Sequence, residues 1–178
     1  MSKRRLKGRE LIEAYLKELN DVSSQSQYTD SNVNPFIIYQ LNRFCFSSEF
    51  TTFLEFGARA GQLGKVLIEK KSGVNYIGVE PFPVNNEIIP LLHITCEDFV
   101  LQKWGQKILE KVDVIIFADV LEHLQNPWVH LKELYQAVPI GCSIVISIPN
   151  FFHHSSLSLI SQGRFDYEEW GVLDFTHL

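Results

Sequence analysis

Residues 53–64 read Phe53-Leu54-Glu55-Phe56-Gly57-Ala58-Arg59-Ala60-Gly61-Gln62-Leu63-Gly64. An apolar run carries an acid near its end, meets glycines at 57 and 61, and passes at once into a helical pattern from about Gln62 to Lys71. Glycine reaches backbone conformations that a Cβ disfavours, so this stretch reads as a strand turning sharply into a helix. Further apolar runs alternate with helical patterns down the chain: NYIGVE at 75–80, LLHIT at 91–95, VDVIIFAD at 112–119 and SIVISIPN at 143–150. Strands that lack polar alternation and are separated by helices belong to a parallel sheet covered on both faces. The fold class is therefore α/β, a doubly wound, Rossmann-like and mostly parallel sheet. One connection is compressed. Only ten residues separate Glu80 from Leu91, and Pro81, Pro83 and Pro90 among them limit any helix there to one turn.

Ahead of this alternation, residues 1–50 look helical. Leu11, Ile12, Tyr15, Leu16 and Leu19 form an amphipathic stripe, the polar run Ser23 to Asn34 breaks it, and Pro35 opens a second helix through Phe36, Tyr39, Gln40 and Phe44. We expect a helical cap or lid over residues 1–50, with a plain cover over one sheet face as the competing reading, and a ligand-binding domain over 51–178.

The chain has 178 residues, 46% of them hydrophobic and 21% charged, which suits one globular domain and excludes disordered and fibrous classes. Cys45, Cys96 and Cys142 are odd in number and widely spaced, so they read as small hydrophobes in a reducing compartment, and no metal site is expected. Five basic residues among the first nine run into Glu10 and Glu13 without an apolar segment behind them, which does not suit a secretion signal. The apolar stretch Val112 to Leu121 contains Asp113 and Asp119 and is too short to span a membrane. The expectation is a cytoplasmic protein without a membrane partner. A net charge of −5 and the lack of a basic stripe beyond the N-terminus argue against a nucleic-acid partner.

In an open parallel sheet, ligands bind beyond the carboxyl ends of the strands, so the Glu55–Gly61 turn is the place to look. A dinucleotide fingerprint anchored at Gly57 needs glycines where Arg59 and Gln62 stand, and a triphosphate loop ending at Gly64-Lys65 fails at Arg59 and Val66. Glu55, at the end of a strand, can instead face a sulfonium or ammonium group while glycine lets the backbone approach the ligand. The bland alternative is a tight turn with no ligand.

The acid at Glu55 with Gly57 and Gly61 resembles the first motif of the class I S-adenosylmethionine-dependent methyltransferases. Four further stretches carry the same resemblance. Glu80 stands where the family has an acid for the ribose hydroxyls. Thr95-Cys96-Glu97-Asp98-Phe99 lies where an acid approaches the adenine amino group, with the register between Glu97 and Asp98 open. Phe117-Ala118-Asp119-Val120-Leu121-Glu122-His123-Leu124, followed by Asn126-Pro127, resembles the DVLEHL motif after strand four. The end of the chain, with Gly163, Asp166, Tyr167, Gly171, Asp174, Thr176 and His177, is similar to the branch that accompanies sugar and cell-surface polysaccharide biosynthesis.

The resemblance implies S-adenosylmethionine as cofactor, held by Glu55, Gly57, Ala58, Arg59, Gly61, Glu80, Pro81, Glu97, Asp98, Asp119, Val120 and Leu121. It implies methyl transfer to a hydroxyl or amine of a small-molecule acceptor such as a nucleotide-linked sugar or glycan precursor. His123 is the candidate base, since imidazole titrates near neutrality, and a helix-start histidine that orients its loop is the alternative. Asn150, His153 and His154 are candidate acceptor contacts, against a reading of the two histidines as a polar loop pair. No metal is required for such a displacement.

Two departures matter. Arg59 interrupts the usual glycine trio, and its guanidinium can pair either with Glu55 or with a ligand carboxylate. Ile148-Pro149-Asn150-Phe151 differs in order from the Asn/Asp-Pro-Pro-Tyr/Phe motif, which weighs against a nucleobase or side-chain amide substrate. Family members continue for two more strands, so the resemblance implies a chain without C-terminal strands six and seven, and with strand five at an edge. That uncharged edge, rich in isoleucine and valine, is expected to pair with a second copy, to be covered by the C-terminal segment, or to drive association. The rival functions are a catalytically silent binding or scaffold module and an NAD-dependent oxidoreductase.

Overall fold

A computed structural model describes residues 33–44, 51–85, 87–165, 167–168 and 171–177. The expected helix around Leu11–Leu19 lies outside the described residues. Helix α1 (Pro35–Phe44) is followed by β1 (Thr51–Phe56), α2 (Gln62–Lys70), β2 (Val74–Val79) and β3 (Leu91–Leu92). Then come α3 (Cys96–Leu101), α4 (Lys103–Leu109), β4 (Val114–Ala118), a 3₁₀ turn (Leu121–His123), α5 (Pro127–Ala137), β5 (Ser143–Ser147) and α6 (His154–Ser161).

The five strands form one sheet in the order β3-β2-β1-β4-β5, and every pairing is parallel. Thr51 to Phe56 run beside Val74 to Val79 on one flank, and Phe53 to Phe56 beside Val114 to Phe117 on the other. The chain steps outward to β2 and β3, then returns across β1 to β4, so the switch point of the doubly wound fold lies between β1 and β4. Between β2 and β3 the described residues contain no helix, as the prolines dictate. β3 is two residues long, shorter than the LLHIT run.

Because side chains alternate across a strand, each strand feeds both faces. Leu54, Phe56, Ile115 and Phe117 pack with Phe99, Val100, Leu109 and Leu134 from α3, α4 and α5. Phe53, Val114 and Ile116 pack on the other face with Ile37, Ile38 and Leu41 of α1 and Leu63, Val66 and Leu67 of α2. Glu55, next to last in β1, and Tyr76, in the middle of β2, fall on this second face. The single helix expected between β3 and β4 is divided at Gln102, whose backbone is extended, and Gly105 of α4 passes so close to the Phe99 carbonyl that a Cβ there would overlap it.

Candidate functional site

The turn after β1 is built by hydrogen bonds to its neighbours. The N–H groups of Gly57 and Ala58 both donate to the Val79 carbonyl, at 2.8 and 3.1 Å, and Gly61 N–H donates back to Ala58. Gly57 and Gly61 have φ of +70° and +87°, and a Cβ on either would lie about 2.5 Å from Val120 or 2.4 Å from Ile89. Both positions therefore require glycine on two counts, conformation and space. Arg59 and Asp119 also adopt positive φ, at 50° and 55°, which is costly for residues with a Cβ and recurs where function demands a set backbone.

These elements wall a cleft of about 80 Å³ lined by Glu55, Gly57, Ala58, Arg59, Gln62, Leu63, Ala118 and Asp119, with Val33, Asn34 and Ile37 at the start of α1 closing one side. Thus α1 is a cover bound into the core and, at its first turn, a wall of the cleft. Glu55 is 4% exposed, and burial pushes its carboxyl up to about 7, against the opposing pull of the Tyr76 hydroxyl and the Arg59 charge. Tyr76 donates a short hydrogen bond to Glu55 Oε2. Arg59 lowers the Glu55 value through space but forms no ion pair with it among the described residues. Glu80 Oε2 accepts from Arg59 N–H at 2.9 Å and its Oε1 from Phe82 N–H at 3.2 Å, which fixes the carboxylate at the tip of β2. Ser147 donates to Asp119 Oδ1 at 2.8 Å, joining the tips of β4 and β5.

A second, larger cavity of about 480 Å³ opens past the tips of β4 and β5. Its walls include Leu121, Trp128, Leu131, Phe151, Phe165 and Tyr167, so it is mainly apolar and aromatic, with Glu122, Asp174 and His177 at its polar end. The loop Ala118–Glu122 joins the two spaces: Ala118 and Asp119 line the first, Leu121 and Glu122 the second. His123 stands beside His177, ring centroids 4.9 Å apart.

Of the residues expected at a ligand, Glu55, Gly57, Ala58, Arg59 and Asp119 line the first cleft, and Gly61, Val120 and Glu80 support it from behind or beside it. Leu121 belongs to the second cavity, and Pro81 follows Glu80 outside both. Glu97 and Asp98 are exposed in the first turn of α3, where Thr95 caps the helix through Asp98 N–H, and they line neither space. Asn150 receives Phe152 N–H in a turn, and His153 caps α6 and meets Ser155 Oγ at 2.9 Å; neither lines the second cavity. The rings of His153 and His154 lie 4.1 Å apart at the start of α6, which begins at His154. Tyr76, Asn34, Trp128 and Phe165 escaped the sequence reading, whereas Tyr167 stands in the motif near the end of the chain. Tyr76 alternates onto the same face as Glu55 in the neighbouring strand, a signal that strand register would have given.

A family model described as a methyltransferase domain matches residues 8–177. No curated protein sequence matches the chain. Among solved structures, an SAM-dependent methyltransferase from Archaeoglobus fulgidus is 18% identical, with a TM-score of 0.49, over 96% of this chain and 62% of that one. The plantazolicin methyltransferase BpumL, in complex with a pentazolic desmethylPZN analog and SAH, is 16% identical, with a TM-score of 0.45, over 74% of this chain and 54% of that one. The chain thus spans less than two thirds of the length of either.

Proposed function

The chain belongs to the methyltransferase-domain family, and from that membership we propose that it transfers a methyl group from S-adenosylmethionine to a hydroxyl or amine of a small acceptor. The observation that carries the reading is the buried Glu55 carboxyl in the cleft beneath the Gly57–Gly61 turn. A cation in that cleft returns to Glu55 the partner that burial removed, so the residues fit a donor bearing an ammonium and a sulfonium. Glu80 fits as well: each oxygen accepts one N–H and keeps a lone pair for a ribose hydroxyl.

When bound, the donor supplies an electrophilic methyl on sulfur and leaves as S-adenosylhomocysteine. Glu55 orients its cationic end, Glu80 takes the ribose hydroxyls, and the Asp119–Ser147 pair holds the wall next to the acceptor. The apolar cavity receives the acceptor, and its aromatic lining favours a ring or hydrocarbon portion next to the reacting group. A nucleotide-linked sugar or glycan precursor rests on the motif from Gly163 to His177 alone. His123, whose ring stands 4.9 Å from that of His177 on the cavity wall, is the base for an oxygen acceptor when no ion is bound there. Residues 1–50 act as a cap and 51–178 as the donor-binding unit, in the cytoplasm, without a nucleic-acid partner. Among the described residues no helix is long and apolar enough to cross a membrane.

The test is a thermal-shift series with S-adenosylmethionine, S-adenosylhomocysteine and NAD, since a ligand of the native state raises its stability by mass action. Stabilisation by the first two and not by NAD is expected. Stabilisation by NAD alone would make the chain an oxidoreductase, and no shift with any of the three would make it a silent module.

A further inference from the structure

Beyond the donor cleft, three side chains that could ligate a metal converge at the polar end of the apolar cavity. One ligand atom each from Glu122, His123 and His177 lies within 4.8 Å of the others. Donor atoms around a tetrahedral ion stand roughly 3.4 Å apart, so small side-chain rotations close the set. Neither Glu122 oxygen has a hydrogen-bond partner among the described residues, although both are shut away from water. A buried carboxylate without a partner is costly, and a cation is the partner it lacks.

The histidines are prepared from behind. The Val172 carbonyl can only accept, so His177 Nδ1, at 3.3 Å, carries the hydrogen and Nε2 the lone pair. Thr176 Oγ1 donates to Asp174 Oδ1 at 2.7 Å and so accepts from His123 Nδ1 at 2.9 Å, which leaves His123 Nε2 with its lone pair too. Imidazoles anchored through Nδ1–H to a carbonyl or to a carboxylate relay are the arrangement in which outer partners orient metal ligands.

We propose that Glu122, His123 and His177 bind one divalent first-row transition-metal ion at the mouth of the acceptor cavity. Two imidazoles and one carboxylate suit zinc, manganese, iron or cobalt, whereas magnesium and calcium prefer oxygen alone. Glu122 and His177 line the cavity, so an acceptor there would reach an ion that they hold. Its purpose rests on the methyltransferase reading. Bound to such an ion, an acceptor hydroxyl would give up its proton to solvent more readily, and its oxygen would attack the donor methyl. The oxygen–carbon bond forms, the carbon–sulfur bond breaks, and S-adenosylhomocysteine departs. His123 then serves as a ligand rather than as the base.

The test is a titration of the full chain, stripped with a chelator, with cobalt(II), read by visible absorption and competed with zinc(II) or magnesium(II). We expect one cobalt per chain, displaced by zinc and not by equal magnesium. His177→Ala and Glu122→Gln should each weaken cobalt binding at least about tenfold, and Thr176→Val, which touches only the outer partner, by about tenfold. Circular dichroism checks that each variant folds, and if His177→Ala does not, Glu122→Gln and Thr176→Val still decide the matter. Absence of stoichiometric cobalt in the wild-type chain, or undiminished binding in the folded variants, would overturn the site. S-adenosylhomocysteine binding in the same samples reports separately on the methyltransferase reading, because a chain that binds cobalt but not S-adenosylhomocysteine fails only the latter.

Discussion

At the scale of single residues, Glu55 ties the cleft to pH. Burial raises its carboxyl to about 7, so the folded chain holds a proton that the unfolded chain releases near 4.5. Stability from this group is therefore lost as pH rises from about 4.5 through 7, and Glu55→Gln should stabilise the ligand-free chain at pH 8. Donor binding has the opposite sign. A cationic donor prefers ionised Glu55, so its affinity should fall roughly ten- to thirtyfold between pH 8 and pH 5.5, and Glu55→Gln should flatten that dependence. Calorimetry in buffers of different ionisation enthalpy checks it through the protons released. Glu80→Ala should weaken the donor by about 1.5–3 kcal/mol, the scale of a hydrogen bond to a charged group; unchanged affinity removes Glu80 from the site. Gly61→Val meets Ile89 Cγ1 at about 2.4 Å from its Cβ in left-handed backbone, so donor binding should vanish while the melt stays cooperative. Retained binding in that variant would show that the turn can move aside.

Elements explain what the residues alone do not. Helix α5 begins with Asn126 accepting from Val129 N–H and Pro127 in its first turn, both readable from the chain. Its inward face carries His130, 2% exposed, with both ring nitrogens unpartnered among the described residues and its ring edge-on to Phe56 and Phe117. Burial lowers its pKa, although Glu97 and Glu133 pull the other way. The folded chain thus resists a proton that the unfolded chain accepts below about 6.5, and stability from this group is lost as pH falls through that range. His130→Leu should reduce the drop in melting temperature between pH 7 and pH 5 by about 2–4 °C. An equal drop in variant and wild type would mean that other groups set the acid limb. Helix α1 joins sequence to site in a similar way: Ile37, Ile38 and Leu41 anchor it on the sheet, and its first turn consequently reaches the cleft.

For the whole molecule, β5 is one of the two edge strands of the sheet, with Ile144 and Ile146 exposed and its outer edge unpaired among the described residues. Of the three outcomes expected for that edge, we propose pairing with a second copy, in which case Ile144→Lys with Ile146→Lys should shift the chain to monomer in size-exclusion with light scattering. A wild-type chain that stays monomeric at every concentration contradicts it. The sequence by itself determined the parallel strands, the crossover helices and the turn from Glu55 to Gly61, because apolar period, glycine and proline act over a few residues and need no partner. It also marked Glu80 and Asp119, which stand at strand ends. What it left open depends on packing between distant segments. Strand register brings Tyr76 onto Glu55, 21 residues away, and the folding of the C-terminal loop brings Thr176 to His123, 53 residues away. Only the tertiary structure decided that α1 walls the cleft, that Glu97, Asp98, Asn150 and His153 stand outside both cavities, and that Glu122, His123 and His177 meet. No local propensity encodes those contacts; they follow from which faces the core buries and where the loops must then run.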